Sequence, residues 1–231
     1  MSGRRSKLWA TVAVIPSLLI LLSLGFWQID RLHQKEALLA RIAAGMQADP
    51  VPLPAGIDGP DAWDYRRVQV FGIFLHDREF HLHRRSADGR GGYHVLTPLL
   101  REDGSAVLVD RGWVPPQLKE PASRSAGQVE GPVAVTGVAR LPAGSGLFTP
   151  PDEAADNLWY HVDLAAMSAR LGRPLVPLVV EADDTPNPGG YPLGGQTEVN
   201  IPNNHLQYVV TWFGFALSLL VIYIVYMVRR R

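Results

Sequence analysis

Cysteine is absent from this chain of 231 residues. Its absence excludes disulfides, thiolate nucleophiles and Cys-based metal sites. A surplus of charge is missing too, since 22 basic residues balance 22 acidic ones. A general nucleic-acid binder carries a basic excess, so no nucleic-acid partner is expected. The chain has no G-x-S-x-G, H-E-x-x-H or P-loop, and no G-x-G-x-x-G between a strand and a helix. "GGYPLGG" is glycine-rich but follows no nucleotide-binding unit, and it reads as a turn. Internal repeats and low-complexity tracts are also lacking.

Two apolar runs without a charge are present, Leu8 to Trp27 and Val209 to Val228. A hydrocarbon core of ~30 Å needs about 20 helical residues. Both runs predict transmembrane helices. The first follows a basic "RRSK" start but ends in "SLGFWQ", which lacks the small residues of a cleavage site. It is therefore expected to stay as an anchor. No long Arg- and Ser-rich transit segment precedes it, which points to a bacterial inner membrane. Arg229, Arg230 and Arg231 follow the second run, and no Lys or Arg lies between Leu175 and Gln207. The positive-inside rule then places the C-terminus in the cytoplasm. Arg4, Arg5 and Lys7 before the first run are offset by Arg31, Lys35 and Arg41 after it, but two spans return the chain to one side. Both termini are expected in the cytoplasm and everything between the spans in the periplasm.

The expected organisation is a cytoplasmic segment 1–7, a transmembrane helix 8–27 and an amphipathic continuation 28–46. A Pro/Gly linker 47–62, a β-rich domain 63–184 and a Pro/Gly-rich loop 185–204 follow. A second transmembrane helix 205–228 and a cytoplasmic end 229–231 complete it. Ile29, Leu32, Glu36, Leu39 and Ala43 recur at helical spacing in the continuation. Within the outer domain, "YRRVQVFGIFL" and "REFHLHRR" read as an antiparallel pair across "HD". "GYHVLTPLLR" and "SAVLVDRGWVP" form a hairpin through the Asp-Gly of "EDG". "GPVAVTGVARL", "NLWYHVD" and "PLVPLVVEA" supply further strands. "DLAAMSARLG" predicts a short helix with Asp163 as N-cap and Gly172 at its end. The fold class is thus an integral membrane α+β protein, with two transmembrane helices flanking one extracytoplasmic, mainly antiparallel β domain that has a short helix.

Candidate chemistry is sparse. Asp110 and Arg111 in "VDRGW" read as a strand-end ion pair. His81 and His83 of "HLH" share one strand face, with His76 the nearest third ring. A zinc-type site needs three ligands, and a solvated strand face is the plainer reading. His205 is different. Pro202 with Asn203 or Asn204 as N-cap suits a helix start, which puts His205 in the first turn. The positive end of the helix dipole disfavours an imidazolium there and leaves a lone pair for a metal. A polar residue bonded to headgroups or to the loop is the alternative. Gln207, Thr211, Gly214 and Ser218 cluster on one side of the second span, and small residues let helices approach. That side is expected to pack on the first span. His205, with Tyr208, Trp212 and Leu219, would then face lipid, a ligand or another protein.

The stretches "LGFWQIDRLHQK", "VQVFGIF", "GYHVLTPL", "VLVDRGWVP", "VTGVAR" and "NNHLQYVVTWFG" occur in this order. Together, with two spans flanking one outer domain, they resemble the Surfeit locus protein 1 family of cytochrome c oxidase assembly factors. The resemblance runs from Leu24 to Gly214. It implies an assembly role rather than catalysis, so no enzyme is expected. It also implies haem a as a transient cofactor, with oxidase subunit I and haem a synthase as partners. The histidine of "NNHL" corresponds to His205, the implied haem a axial ligand. Trp27, Gln28, Arg31, Gly92, Pro98, Arg111, Gly112, Trp113, Asn203, Asn204, Trp212 and Gly214 fall on the family's motifs, with structural roles implied. The chain departs from the family at "EFHLHRR" and at Glu198, where a basic residue is common. A haem-free scaffold contacting oxidase subunits is the alternative function, and a two-span extracytoplasmic sensor a third.

Overall fold

The computed structural model describes residues 2–199 and 201–229. Arg230, Arg231 and the side chain of Arg4, on which the charge argument partly rests, lie outside what it describes. The helices are α1 (Ser2–Gln47), α2 (Leu164–Leu171) and α3 (His205–Arg229). The chain divides into two compact units, Met1–Arg41 with Asn200–Arg231, and Ile42–Val199.

In the first unit, α1 and α3 are each long and apolar enough to cross a membrane. They run antiparallel and are joined by polar contacts at both ends. Lys7 Nζ donates to the Met227 carbonyl at 3.3 Å, next to the α3 C-terminus, where the helix dipole favours a cation. The hydroxyls of Thr11 and Tyr223 bond at 2.7 Å. At the other end Gln28 meets His205. At 1.5 Å per residue the Lys7 and Gln28 contacts lie roughly 32 Å apart along either helix, about the thickness of a hydrocarbon core.

The packed side of α3 differs from the expected one. His205, Phe213, Ala216 and Tyr223 turn toward α1, and Ala216 is buried. Gly214 points away, since a Cβ there would meet nothing within 4 Å. The close approach comes from Gly25 of α1, where a Cβ would lie 2.9 Å from the Phe213 ring. Phe213 also packs edge-on against Phe26 at 5.4 Å. The small residue that seats the partner helix is thus on α1, and α3 supplies the ring that fills the space.

The second unit is built on strands β1 (Val51–Pro52), β2 (Arg66–Phe74), β3 (Phe80–Arg85), β4 (Gly91–Leu100), β5 (Ala106–Val114), β6 (Pro132–Arg140), β7 (Leu158–Trp159) and β8 (Leu175–Ala182). β2 pairs with β6, β6 with β8, β8 with β5, β5 with β4, and β4 returns to β2 through Ile73–Leu100 and Phe74–Leu99. Five strands therefore close into a small Greek-key barrel, a closure that leaves few free edges. The β5–β8 pair is parallel, and a parallel pair needs a crossover between its strands. The long segment holding β6, β7 and α2 provides it. The domain is therefore a mixed sheet. The β4–β5 hairpin forms across the Asp-Gly turn as expected. β3 does not pair with β2. It lies on β4 and carries β7 on its far side, because the turn His76–Arg78 carries the chain past β2. The "NLWYHVD" strand shrinks to Leu158–Trp159, and the linker contributes β1 against β2.

Alternation divides the barrel residues between two cores. Val68, Val70, Leu99, Val107, Val109 and Val180 fill the interior. Leu96, Leu108 and Val179 point the other way and pack with Phe80, Leu82, Trp159 and Met167 of α2. α2 begins as predicted, with Asp163 Oδ1 accepting from the N–H groups of Ala165 and Ala166, both at 3.0 Å. It ends at Gly172 in the left-handed region, φ 71°, a conformation glycine adopts without strain.

Candidate functional site

His205 is the first residue of α3. The Asn204 carbonyl accepts from Tyr208 N–H at 3.3 Å, which makes Asn204 the N-cap residue. The His205 ring is half-buried, and its Nδ1 lies 2.7 Å from Gln28 Oε1. With the amide oxygen as acceptor, Nδ1 carries the proton it donates, so in the neutral ring the lone pair lies on Nε2. A hydrogen bond to one ring nitrogen thus selects the other as the metal-binding atom. Gln28 is buried at 8 % exposure. A buried amide at the exit of an apolar run requires a partner, and His205 is that partner. The structure therefore corrects the expectation that His205 turns away from the first span.

Asn203 Oδ1 and Trp212 Nε1 are buried without a hydrogen-bond partner among the described residues. Trp27 is exposed and carries the Arg31 guanidinium 5.6 Å from its ring centre. Arg31 also donates to Gln34 Oε1 at 2.8 Å. The geometry offers a single imidazole nitrogen, held in place by the Gln28 amide. That donor set fits one axial ligand to a haem iron. Among the described residues no group of three or more His, Asp or Glu side chains is arranged to hold a metal ion by itself.

Of the other motif residues, Gly92, Pro98, Arg111, Gly112 and Trp113 lie in the second unit. Gly92 runs against the Val114 carbonyl and the Trp113 indole, leaving no room for a Cβ. Gly112 adopts φ 114°, and a Cβ there would strike the Leu193 carbonyl. That close approach lets Trp113 and Leu193 exchange two backbone hydrogen bonds, both 2.9 Å. The Pro98 carbonyl accepts from Leu75 N–H at 2.9 Å.

Asp110 and Arg111 do not form an ion pair. Neighbours on a strand point to opposite faces. Asp110 Oδ2 instead accepts from His94 Nδ1 at 2.8 Å, with both groups buried. Burial alone would lower the His94 pKa, but the Asp110 charge and hydrogen bond hold it above its ordinary value. Burial likewise pushes Asp110 up, and the His94 charge and hydrogen bond, with the Arg84 charge and the Gly112 N–H, together more than reverse this. Arg111 points into the barrel.

The histidines of "HLH" do not converge on His76. His81 is buried, with Nε2 2.9 Å from Glu79 Oε1, and Glu79 also pairs with buried Arg124. His83 is exposed and stacks near Tyr93 and Tyr160. His76 Nε2 donates to the Val129 carbonyl at 2.9 Å. The solvated-face reading therefore holds for His83 and fails for His81.

Two apolar helices long enough to cross a membrane in one unit, joined in sequence to a small Greek-key barrel in the other, describe a membrane-associated protein. The sequence pattern of the SURF1 family matches residues 16–217, and the chain belongs to that family. It is 36 % identical over 207 residues to "Surfeit locus protein 1" of Rattus norvegicus, covering 83 % of this chain and 67 % of that one. It is 35 % identical over 209 residues to the protein of the same name from Homo sapiens, covering 84 % and 69 %. A "SURF1-like protein" of Monosiga brevicollis is 36 % identical over 221 residues, covering 90 % and 82 %. Membership in this family supports a role in cytochrome c oxidase assembly.

Proposed function

We propose that this chain is a membrane-embedded assembly factor that holds haem a transiently through His205 and passes it toward the oxidase subunit that will carry it. Haem a synthase is the implied source and oxidase subunit I the implied recipient. In this reading α1 and α3 cross the inner membrane of a bacterium, both termini are cytoplasmic, and the barrel lies outside. The protein acts as a chaperone for its cargo and not as an enzyme.

The observation that carries this reading is the His205–Gln28 hydrogen bond at 2.7 Å. It orients the ring and keeps Nε2 free before any cargo arrives, so binding does not have to pay for ordering the ligand. Haem a would supply an iron that accepts one imidazole. A single protein ligand suits a carrier, because release then breaks one coordinate bond. The contact between Lys7 and Met227 at the far end fixes the register of the two helices and so the height of His205 at one membrane face.

A specific observation favours a second reading. The same hydrogen bond also locks α1 to α3, which a haem-free scaffold would need. The two separate in a strain lacking the gene and expressing variants in its place. For a carrier, His205→Ala lowers the haem a content of the assembled oxidase while the protein still accumulates. For a scaffold, oxidase haem stays normal as long as the protein accumulates.

A further inference from the structure

The inner row of β5 runs Val107, Val109, Arg111. The first two belong to the apolar barrel core, and alternation calls for a third apolar residue. A guanidinium stands there instead, 2 % exposed. It borders a cavity of about 220 Å³ at one mouth of the barrel, walled by Phe74, Val109, Val133, Val135 and Ala182.

This cation has no carboxylate partner among the described residues. Nη2 donates to the Gly127 carbonyl at 2.5 Å and to Asn187 Oδ1 at 3.0 Å. Nη1 reaches only His76 Nδ1, at 3.5 Å, and that ring is held below its ordinary pKa by burial, with the Arg111 charge adding to the effect. Nε makes no hydrogen bond among the described residues. The Phe74 ring lies 4.8 Å from the guanidinium carbon. Asp183, at the rim, has its Oδ1 occupied by Thr185 N–H, and the nearby Glu79 is taken by Arg124. Burial, with the Arg124 charge adding to it, lowers Arg111 to about 10. A buried charge without a counter-charge is costly, and such cations are normally paired.

We propose that the barrel mouth is a binding site for a small organic carboxylate with an apolar tail. The carboxylate would take the free edge of Arg111, where charge-assisted hydrogen bonds are strong, and the tail would lie along Phe74, Val133 and Val135. The cavity is smaller than the pockets that take drug-sized ligands, which favours a free short-chain acid. This site is independent of His205 and of haem.

The test uses the full-length protein in detergent, with hexanoate labelled at its carboxyl carbon and followed by NMR. Hexanol and hexylamine serve as controls for partition into the micelle. We expect saturable hexanoate binding that neither control displaces. Arg111→Met should weaken it at least tenfold. Arg111 also ties two loops, so the decisive variant is Val135→Trp, which fills the cavity and leaves the cation in place; it too should weaken binding at least tenfold. Absence of saturable binding to the wild type would overturn the proposal. So would displacement by hexanol, or unchanged binding to Val135→Trp.

Discussion

Two histidines in this chain each donate or share one hydrogen bond from Nδ1, and their partners give them opposite roles. His94 in the barrel faces the buried carboxylate of Asp110 at 2.8 Å. His205 at the end of the helix pair faces the neutral amide of Gln28 at 2.7 Å. A carboxylate supplies charge and favours the imidazolium, which has no lone pair to give. An amide oxygen supplies only an acceptor and fixes a tautomer. The first arrangement stabilises a fold. The second leaves the other ring nitrogen without a protein partner among the described residues. Chemistry at a histidine is decided by its partner as much as by its position.

The largest contrast should appear in stability. Asp110→Ala leaves His94 buried without a counter-charge and should cost about 3–5 kcal/mol. Gln28→Ala removes one hydrogen bond from a partly exposed ring and should cost only about 1 kcal/mol. Denaturant unfolding followed by barrel tryptophan fluorescence measures the first, and thermal loss of helical circular dichroism from the full-length protein in detergent measures the second. Equal losses would dissolve the distinction. Binding should show the reverse order. Gln28→Leu, which frees the His205 ring to rotate, should lower haem a retention about 10- to 100-fold, and Asp110→Asn should leave it unchanged wherever the barrel remains folded.

The pairs also predict different responses to pH. His94 is raised in the folded state, so its contribution is complete below the unfolded value near 6.5 and is lost as pH rises through the raised one. Asp110 is lowered, so its contribution is present above 3.8 and is lost as pH falls through the depressed value. Barrel stability should therefore peak between those limits and decline above neutrality. A series of melting curves from acid to alkaline pH checks this, and His94→Gln should remove the alkaline decline. The smallest effect should come from the lock between the helices: Thr11→Val, which breaks the hydroxyl bond to Tyr223, should cost about 0.6 kcal/mol with no change in cargo binding.

Local signals carried much of the fold. Charge-free runs located both long helices, Asp163 and Gly172 bounded α2, and Asp-Gly closed the β4–β5 hairpin. The partner of β3, the parallel β5–β8 pair and the closure of β4 onto β2 depend on pairings far apart in sequence, for which no local residue speaks. At the site, the histidine and its place in the first turn were legible, and its orientation was not. The side of α3 that packs was misjudged because small residues on α3 itself were counted, whereas Gly25 on α1 makes the room. Gln28 carried the missing signal: a lone amide at the end of an apolar run needs a hydrogen-bond partner, and His205 is the polar ring at the matching height. His94 and Asp110, 16 residues apart, meet through the β4–β5 pairing, where Leu96 stands opposite Asp110.

The central claim is that His205, poised by Gln28, is a ligand and not only a helix lock. The direct measurement is the reduced visible spectrum of the full-length protein purified from cells that make haem a, beside His205→Ala. The account predicts a haem a band in the wild type that is lost in the variant while the protein remains folded. An identical band in His205→Ala, or no band in the wild type, would contradict it.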